Sequence, residues 1–595
     1  ALVGCEPVEV SDGCADEIVV TKSPRGYVAK LPETATLRVT VPVENPTVHG
    51  RPGERPRAGG PHMLRQIALP YGYRFESLTV LPGNVIPMAP TSAWVDEQGI
   101  TTAPDRRDAQ ECVSVLGTQS RRGVNLLVMN VNPTAATVDR LMTGYYESLA
   151  LEIALRRDES QENYTIRYRP DPYRPLAESV LNPETLATYE AKSSAPAEPK
   201  GDLCTADERY DYVIISHPDV IDADAEPTLD DFIARKESQG FSVKLVMMGD
   251  IVARYPGRDE AEKMRNFVTD AYNQWETNFV LLAGEQVLVP TRTLYMMSGI
   301  GPLWPIASDV YFQCLDGTMN SNGDDHWGER TDGPEGVDID LFAEVYIGRV
   351  PARSPSELAI WIGKTLQFED LASDPYRQRV LMLGERTDFS EDSVFAKDSL
   401  EELRTGADIH GASTLGFAAN PGLWVDVMYD QDGEWSYGEL IERLGTSDYG
   451  VINHLGHGYA KSVMKLKIDE VDALTNDKPF VIYSQACYAG SMFDDCIAEH
   501  FTAVSPHGAA AVIMNSHMGH GAGSTNGPSQ RVNRAFWDAH FRKGVAHLGV
   551  MNADAHEYVI YRADVSAFRL VMVSSNLFGD PALVVFPSDV MRDDQ

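Results

Sequence analysis

A thiol that ends an apolar run is the first place in this chain where residue type and spacing suit chemistry. In "FVIYSQACYAG", Cys487 stops a strand-like stretch and precedes Gly490 by three positions. Thirty positions earlier (487 minus 457), His457 stands between Gly456 and Gly458 in "NHLGHGYA". A thiol attacks a carbonyl as its thiolate, and a nearby imidazole stabilises that anion and later protonates the leaving amine. The glycines let a substrate backbone approach and leave an N–H to face a developing oxyanion. A third run, "LMLGERTDF", ends at Glu385.

These residues need elements that bring them together. Short apolar runs at 212–216, 242–248, 279–284, 380–385, 450–456, 480–484 and 509–515 alternate with helical segments, which predicts an α/β domain with a mostly parallel sheet covered by helices. One helix opens on Thr228 and closes on Gly240. In such sheets reactive groups gather beyond the carboxyl ends of the strands. Thirty residues suit a strand end, a crossover and the next strand, so His457 and Cys487 are expected on adjacent strand tips. The first 190 residues read differently: apolar residues alternate with polar ones, as in "ATLRVTVPVE" and "ESLALEIALRR", which predicts a β-sandwich-like domain. "AKSSAPAEPKGD" has linker composition, giving 1–190, a linker at 191–204 and 205–595, the last with two possible subdomains at about 205–350 and 351–595.

Composition narrows the partners. The 595 residues carry a formal charge of −36, which argues against nucleic acid, and no apolar run approaches the roughly 18 residues of a membrane span. The amino terminus lacks a signal-peptide pattern, so a secreted or surface protein would already have lost its signal. None of the seven cysteines forms a Cys-x-x-Cys pair, and an odd number leaves a thiol free; Cys5 and Cys14 would pair in an oxidising compartment.

The His457-Gly458 block, the spacer and "SQAC" with Gly490 resemble the signature of caspase-like cysteine peptidases, and more closely the gingipain-type family. "DLFAEVYIGRVPARSPSELAIWIGKTLQFE" at 340–369 and "LFGDPALVVF" at 577–586 resemble further family blocks, in order. The resemblance implies a secreted cysteine endopeptidase in zymogen form, acting on proteins or peptides through a thioester. In it Cys487 is the nucleophile, His457 the acid and base, and Glu385 the carboxylate that orients the histidine, with the N–H groups of Gly458 and Cys487 as oxyanion hole. It makes the first domain an inhibitory pro-domain, cut in the linker. It places a pocket carboxylate near Asp398, which would favour Arg or Lys, and a pocket wall at 516–530 that includes His517 and Met518. That wall here is "SHMGHGAGSTNGPSQ", without an aromatic, and His454 stands where an aromatic is usual. The basic stretches "DRRD" at 105–108 and "QSRRG" at 119–123 are where a pro-domain would offer a basic side chain. A sortase-like transpeptidase of the same family and a non-catalytic binding protein on the same scaffold are the alternatives.

Two metal readings compete for the remaining residues. The pairs "HLGH" at 454–457 and "HMGH" at 517–520 suggest zinc, but positions three apart share a face only on a helix. The chemistry itself requires no cofactor. Asp316, Asn320, Asn322 and Asp324, among glycines at 315–333, offer hard oxygen ligands for a structural calcium ion, and the resemblance favours calcium over a merely solvated turn.

Overall fold

The computed structural model describes residues 32–43, 63–87, 112–136, 143–159, 166–190, 198–297, 303–329, 331–332, 339–388, 394–409, 412–522, 524–560 and 566–586. Cys5, Cys14, the 105–108 stretch and residues 191–197 of the linker lie outside them. The chain divides into two compact units, residues 1–196 with 408–413, and residues 197–407 with 414–595.

In the first unit the alternation seen in the sequence becomes antiparallel pairing. Thr34–Pro42, Ser148–Arg157 and Tyr73–Pro82 form one three-stranded sheet, and Met63–Ala68, Val124–Val131 and Val113–Arg121 another. Along Ser148–Arg157 every second residue is buried, and Leu149, Leu151, Ile153 and Leu155 share one core with Ile67, Leu127, Met129 and Val131 of the other sheet. A third small sheet joins Val85–Pro87, Thr143–Tyr146 and Thr134–Ala136. Residues 119–123 are not the free basic loop that the sequence suggested. Arg121 and Arg122 are 2% and 1% exposed and sit beside Asp171, at 3.2 and 3.6 Å, because a buried guanidinium requires a counter-charge.

The second unit holds a ten-stranded sheet. Its strands are β1 (Tyr212–Ser216), β2 (Val243–Met247), β3 (Phe279–Ala283), β4 (Tyr346–Val350), β5 (Arg379–Gly384), β6 (Trp424–Tyr429), β7 (Val451–Leu455), β8 (Phe480–Ser484), β9 (Ala509–Asn515) and β10 (Ser575–Phe578). They run in the order β2-β1-β3-β4-β10-β9-β8-β7-β5-β6. Every pairing is parallel except β9 with β10, so two parallel halves meet back to back at that joint. β7, β8 and β9 are buried at every position, as expected of strands covered on both faces. Helices include α1 (Leu229–Ser238), α2 (Glu260–Asp270), α3 (Pro355–Asp370), α4 (Lys397–Thr405) and α5 (Pro528–Phe541). Thr228 caps α1 in a reciprocal pair with Asp231.

Candidate active site

The registers of β7 and β8 set the site. His454 is the Cα partner of Ser484, so His457 and Cys487 each stand three residues beyond one registered pair on neighbouring parallel strands. The Gln485 N–H donates to the His454 carbonyl (3.1 Å), carrying the pairing one step past the strands. Beyond it the two segments touch: a Cβ on Gly458 would lie 2.8 Å from Ala486 Cβ and 2.9 Å from the Cys487 carbonyl oxygen. Only glycine fits there. His457 and Cys487 are half-buried, whereas Leu455, Gly458 and Ala486 around them are buried.

His454 and Ser484 are two of the three buried polar side chains in β7 and β8, and an unpaired one would cost about 1–3 kcal/mol. Neither is unpaired. His454 Nδ1 lies 2.9 Å from Ser484 Oγ, and His454 Nε2 lies 3.0 Å from Glu385 Oε1. Glu385 Oε2 accepts the His457 main-chain N–H at 3.1 Å, and Ser484 Oγ accepts the Ala486 N–H at 3.2 Å. One arrangement of hydrogens satisfies every group: His454 donates from Nε2 to the carboxylate, and the Ser484 hydroxyl donates to Nδ1. A chain of bonds thus runs from the residue before the nucleophile, through His454, to the backbone of His457. Gly456 is required by it, because a Cβ there would sit 2.4 Å from Glu385 Cδ and 2.5 Å from His454 Nε2. Sequence reasoning noted His454 as a departure from pattern and as one half of a zinc-type pair, neither of which is the role seen here. Its partners lie 69 and 30 positions away, so nothing local marks its role.

The turn after Cys487 is strained and pinned. Tyr488 has φ 56°, an uncommon left-handed value for a bulky residue. Its N–H donates to the His517 carbonyl (2.8 Å), the Gly490 N–H donates to the Asn515 carbonyl (2.9 Å), and Asn515 Nδ2 donates to the Ala486 carbonyl (3.0 Å). Cys487 Sγ lies 3.7 Å from the Gly519 carbonyl oxygen, and burial pushes its thiol up from the ordinary range.

A family model, Peptidase family C25, matches residues 205–586. The chain belongs to that family. Among solved structures, the Arg-specific cysteine proteinase gingipain R is similar over 65% of this chain and 79% of its own, at 17% identity and a TM-score of 0.48. A structure described as a protease covers 63% and 78%, at 16% identity and a TM-score of 0.48. Dimeric latent PorU from Porphyromonas gingivalis covers 58% and 38%, at 16% identity and a TM-score of 0.20. No curated protein sequence matches.

The other site residues expected of this C25 chain fall unevenly. His517 is buried with its ring 4.9 Å from that of Tyr488 and 4.8 Å from that of Trp304. Burial, with His520 adding to it, takes His517 down to about 4; burial also lowers His520. Met518 is half-buried beside them. Asp398 is exposed in the first turn of α4, where the sequence reading expected a buried carboxylate. An acidic side chain is favourable there for the helix itself. The buried carboxylate on that helix is Glu402, 3.1 Å from Arg534.

The four calcium candidates do not converge. Asn320 Nδ2 donates to the Asp324 carbonyl and Asn322 Oδ1 accepts the Asp324 N–H, so these side chains shape a turn, while Asp324 clusters with His326 and Glu329. Asp316 joins a different group, with Asp340 and Glu344, whose oxygens lie within 4.8 Å of one another. Asp340 and Glu344 are buried, Asp340 Oδ2 has no hydrogen-bond partner among the described residues, and burial with the neighbouring carboxylates pushes the Asp340 carboxyl well up. Three convergent carboxylates of this kind suit a hard cation. Among the described residues no histidine pair takes part in a metal cluster, and Cys112, Cys204, Cys314 and Cys496 are buried.

Proposed function

We propose that the chain is a secreted cysteine endopeptidase made as a zymogen, with Cys487 as nucleophile and His457 as its base and acid. The observation that carries this reading is the shared register, which puts both residues the same distance beyond adjacent parallel strands with Gly458 against Cys487. His457 takes the thiol proton; the sulfur attacks the substrate carbonyl; the tetrahedral oxyanion faces the N–H groups of Gly458 and Cys487; and His457 protonates the leaving amine. Water then hydrolyses the thioester. Glu385 and His454 hold the His457 loop and the Cys487 turn in one geometry. With Asp398 exposed, preference for a basic side chain does not rest on that residue. The strand-rich first unit acts as the inhibitory pro-domain, and Asp316, Asp340 and Glu344 hold a structural calcium ion that neutralises their buried charge. No described helix is long and apolar enough to cross a membrane.

The test is a peptide-library digestion by wild type and Cys487→Ala, with product masses read in the presence of a nucleophilic amine. Cleavage by the wild type alone supports the proposal. Equal cleavage by both proteins overturns it, and products carrying the amine would mark acyl transfer in place of hydrolysis.

A further inference from the structure

Where the second unit begins, the chain is tied down by a carboxylate that the proposed chemistry does not use. Asp270, the last residue of α2, is 1% exposed, and its Oδ2 accepts the N–H groups of Lys200 (2.7 Å) and Gly201 (3.0 Å). The Lys200 ammonium turns instead to Asn266 Oδ1, at 2.8 Å. None of these hydrogen-bond donors to the buried carboxylate carries a full positive charge, and burial raises its carboxyl. The next residues are equally fitted: a Cβ on Gly201 would lie 2.6 Å from the Tyr255 ring, and buried Cys204 has its sulfur 3.6 Å from Tyr255 Oη. Lys200 is itself exposed, within the linker.

We propose that Asp270 is the receptor for a new chain terminus made by cutting the Lys200–Gly201 bond, with the Gly201 α-ammonium taking the place of the Gly201 amide. Hydrolysis breaks the C–N bond; the oxygen of water stays on the Lys200 carboxylate, and both its hydrogens end on the Gly201 nitrogen, so charge balances. An ammonium 3.0 Å from a buried carboxylate is a charge-assisted pair where a neutral amide stood before. The cut therefore stabilises the unit that it releases. That this bond is the natural activation cut rests on the zymogen reading; the receptor role of Asp270 does not.

The test uses the full chain carrying Cys487→Ala, so that no result depends on self-cleavage. In one version residues 195–200 are replaced by Glu-Asn-Leu-Tyr-Phe-Gln, the recognition sequence of a site-specific protease, which then leaves Gly201 as terminus. In a control the same hexapeptide replaces 191–196 and leaves Ala197. Expected after cutting is a Gly201 α-amine that acetic anhydride labels at least about tenfold more slowly than that of Ala197. A Tm about 2–4 °C higher than the control is also expected at pH 7. An α-amine has an unfolded value of about 7.7–8.0 and its partner raises it in the folded state, so the gain is full below about pH 8 and is lost as pH rises through the raised value. Asp270→Asn removes both effects. Equal labelling of the two termini, with equal Tm, overturns the proposal. Terminal sequencing of self-processed wild type then tests the natural cut separately.

Discussion

At the scale of single residues, the most informative side chain is His454. It faces Glu385 on one side and Ser484 on the other, and it has no need to touch substrate. His454→Phe fills a similar volume but leaves Glu385 Oε1 facing carbon. The expected outcome is a kcat about 10–100-fold lower with KM little changed, comparable to losses on removing supporting partners at other sites, and an altered pH profile. An unchanged kcat would show that the relay does not position His457. Thiol accessibility is a second check. Among the described cysteines only Cys487 is not buried, so brief iodoacetamide treatment followed by peptide mapping should find the adduct on Cys487 and none on Cys112, Cys204, Cys314 or Cys496. The placement of Cys487 and His457 just beyond adjacent strands was legible in the sequence because glycines and strand ends mark them locally. The relay was not, because a contact made across the sheet leaves no spacing to read, and Asp398 misled because an exposed helix-start carboxylate and a pocket carboxylate look alike in sequence.

At the scale of elements, β7, β8 and β9 were legible as strands because burial on both faces writes a continuous apolar run. β6 was not, since it is an edge strand with Trp424 exposed and Asp426 within it. β10 was not, since its four residues directly follow a helix at Ser566–Ser574, and its antiparallel pairing with β9 is decided by tertiary contact. The joint of the two half-sheets depends on such contacts. On β4, Arg349 is 1% exposed, reaches both Asp309 oxygens at 2.7 and 2.8 Å, and donates to the carbonyls of Gly284, Val289 and Pro290. Arg349→Leu strands the Asp309 charge. A loss of about 3–5 kcal/mol is expected in urea unfolding, and one below about 1 kcal/mol would mean that the pair is dispensable.

At the scale of the whole molecule, charge and burial set the response to pH. Burial holds His517, His547 and His556 each down at about 4 in the folded protein, against about 6.5 when unfolded. Unfolding takes up protons between those values, so their contribution is fully present above about pH 6.5 and lost as pH falls toward 4. Glu499, raised to about 8 by burial, works in the opposite sense, with stability that declines from its unfolded value of 4.5 up to about 8. His520 and His540 are lowered by burial as well, and these five histidines make acid the destabilising direction between about pH 6.5 and 4, partly offset by the raised carboxyls of Asp270, Asp332, Asp340, Asp538 and Glu499; Tm measured from pH 7 to pH 4 should fall. A Tm that rises on acidification would contradict that balance. The central claim, that the sulfur at 487 and the imidazole at 457 act on one carbonyl, is tested most directly by acid-quenching a peptide digestion and mapping the trapped acyl group by mass spectrometry. A thioester on Cys487, absent from Cys487→Ala and slow to form in His457→Ala, is the expected result; peptide cleavage that proceeds undiminished in both variants, with no acyl group on Cys487, would contradict it.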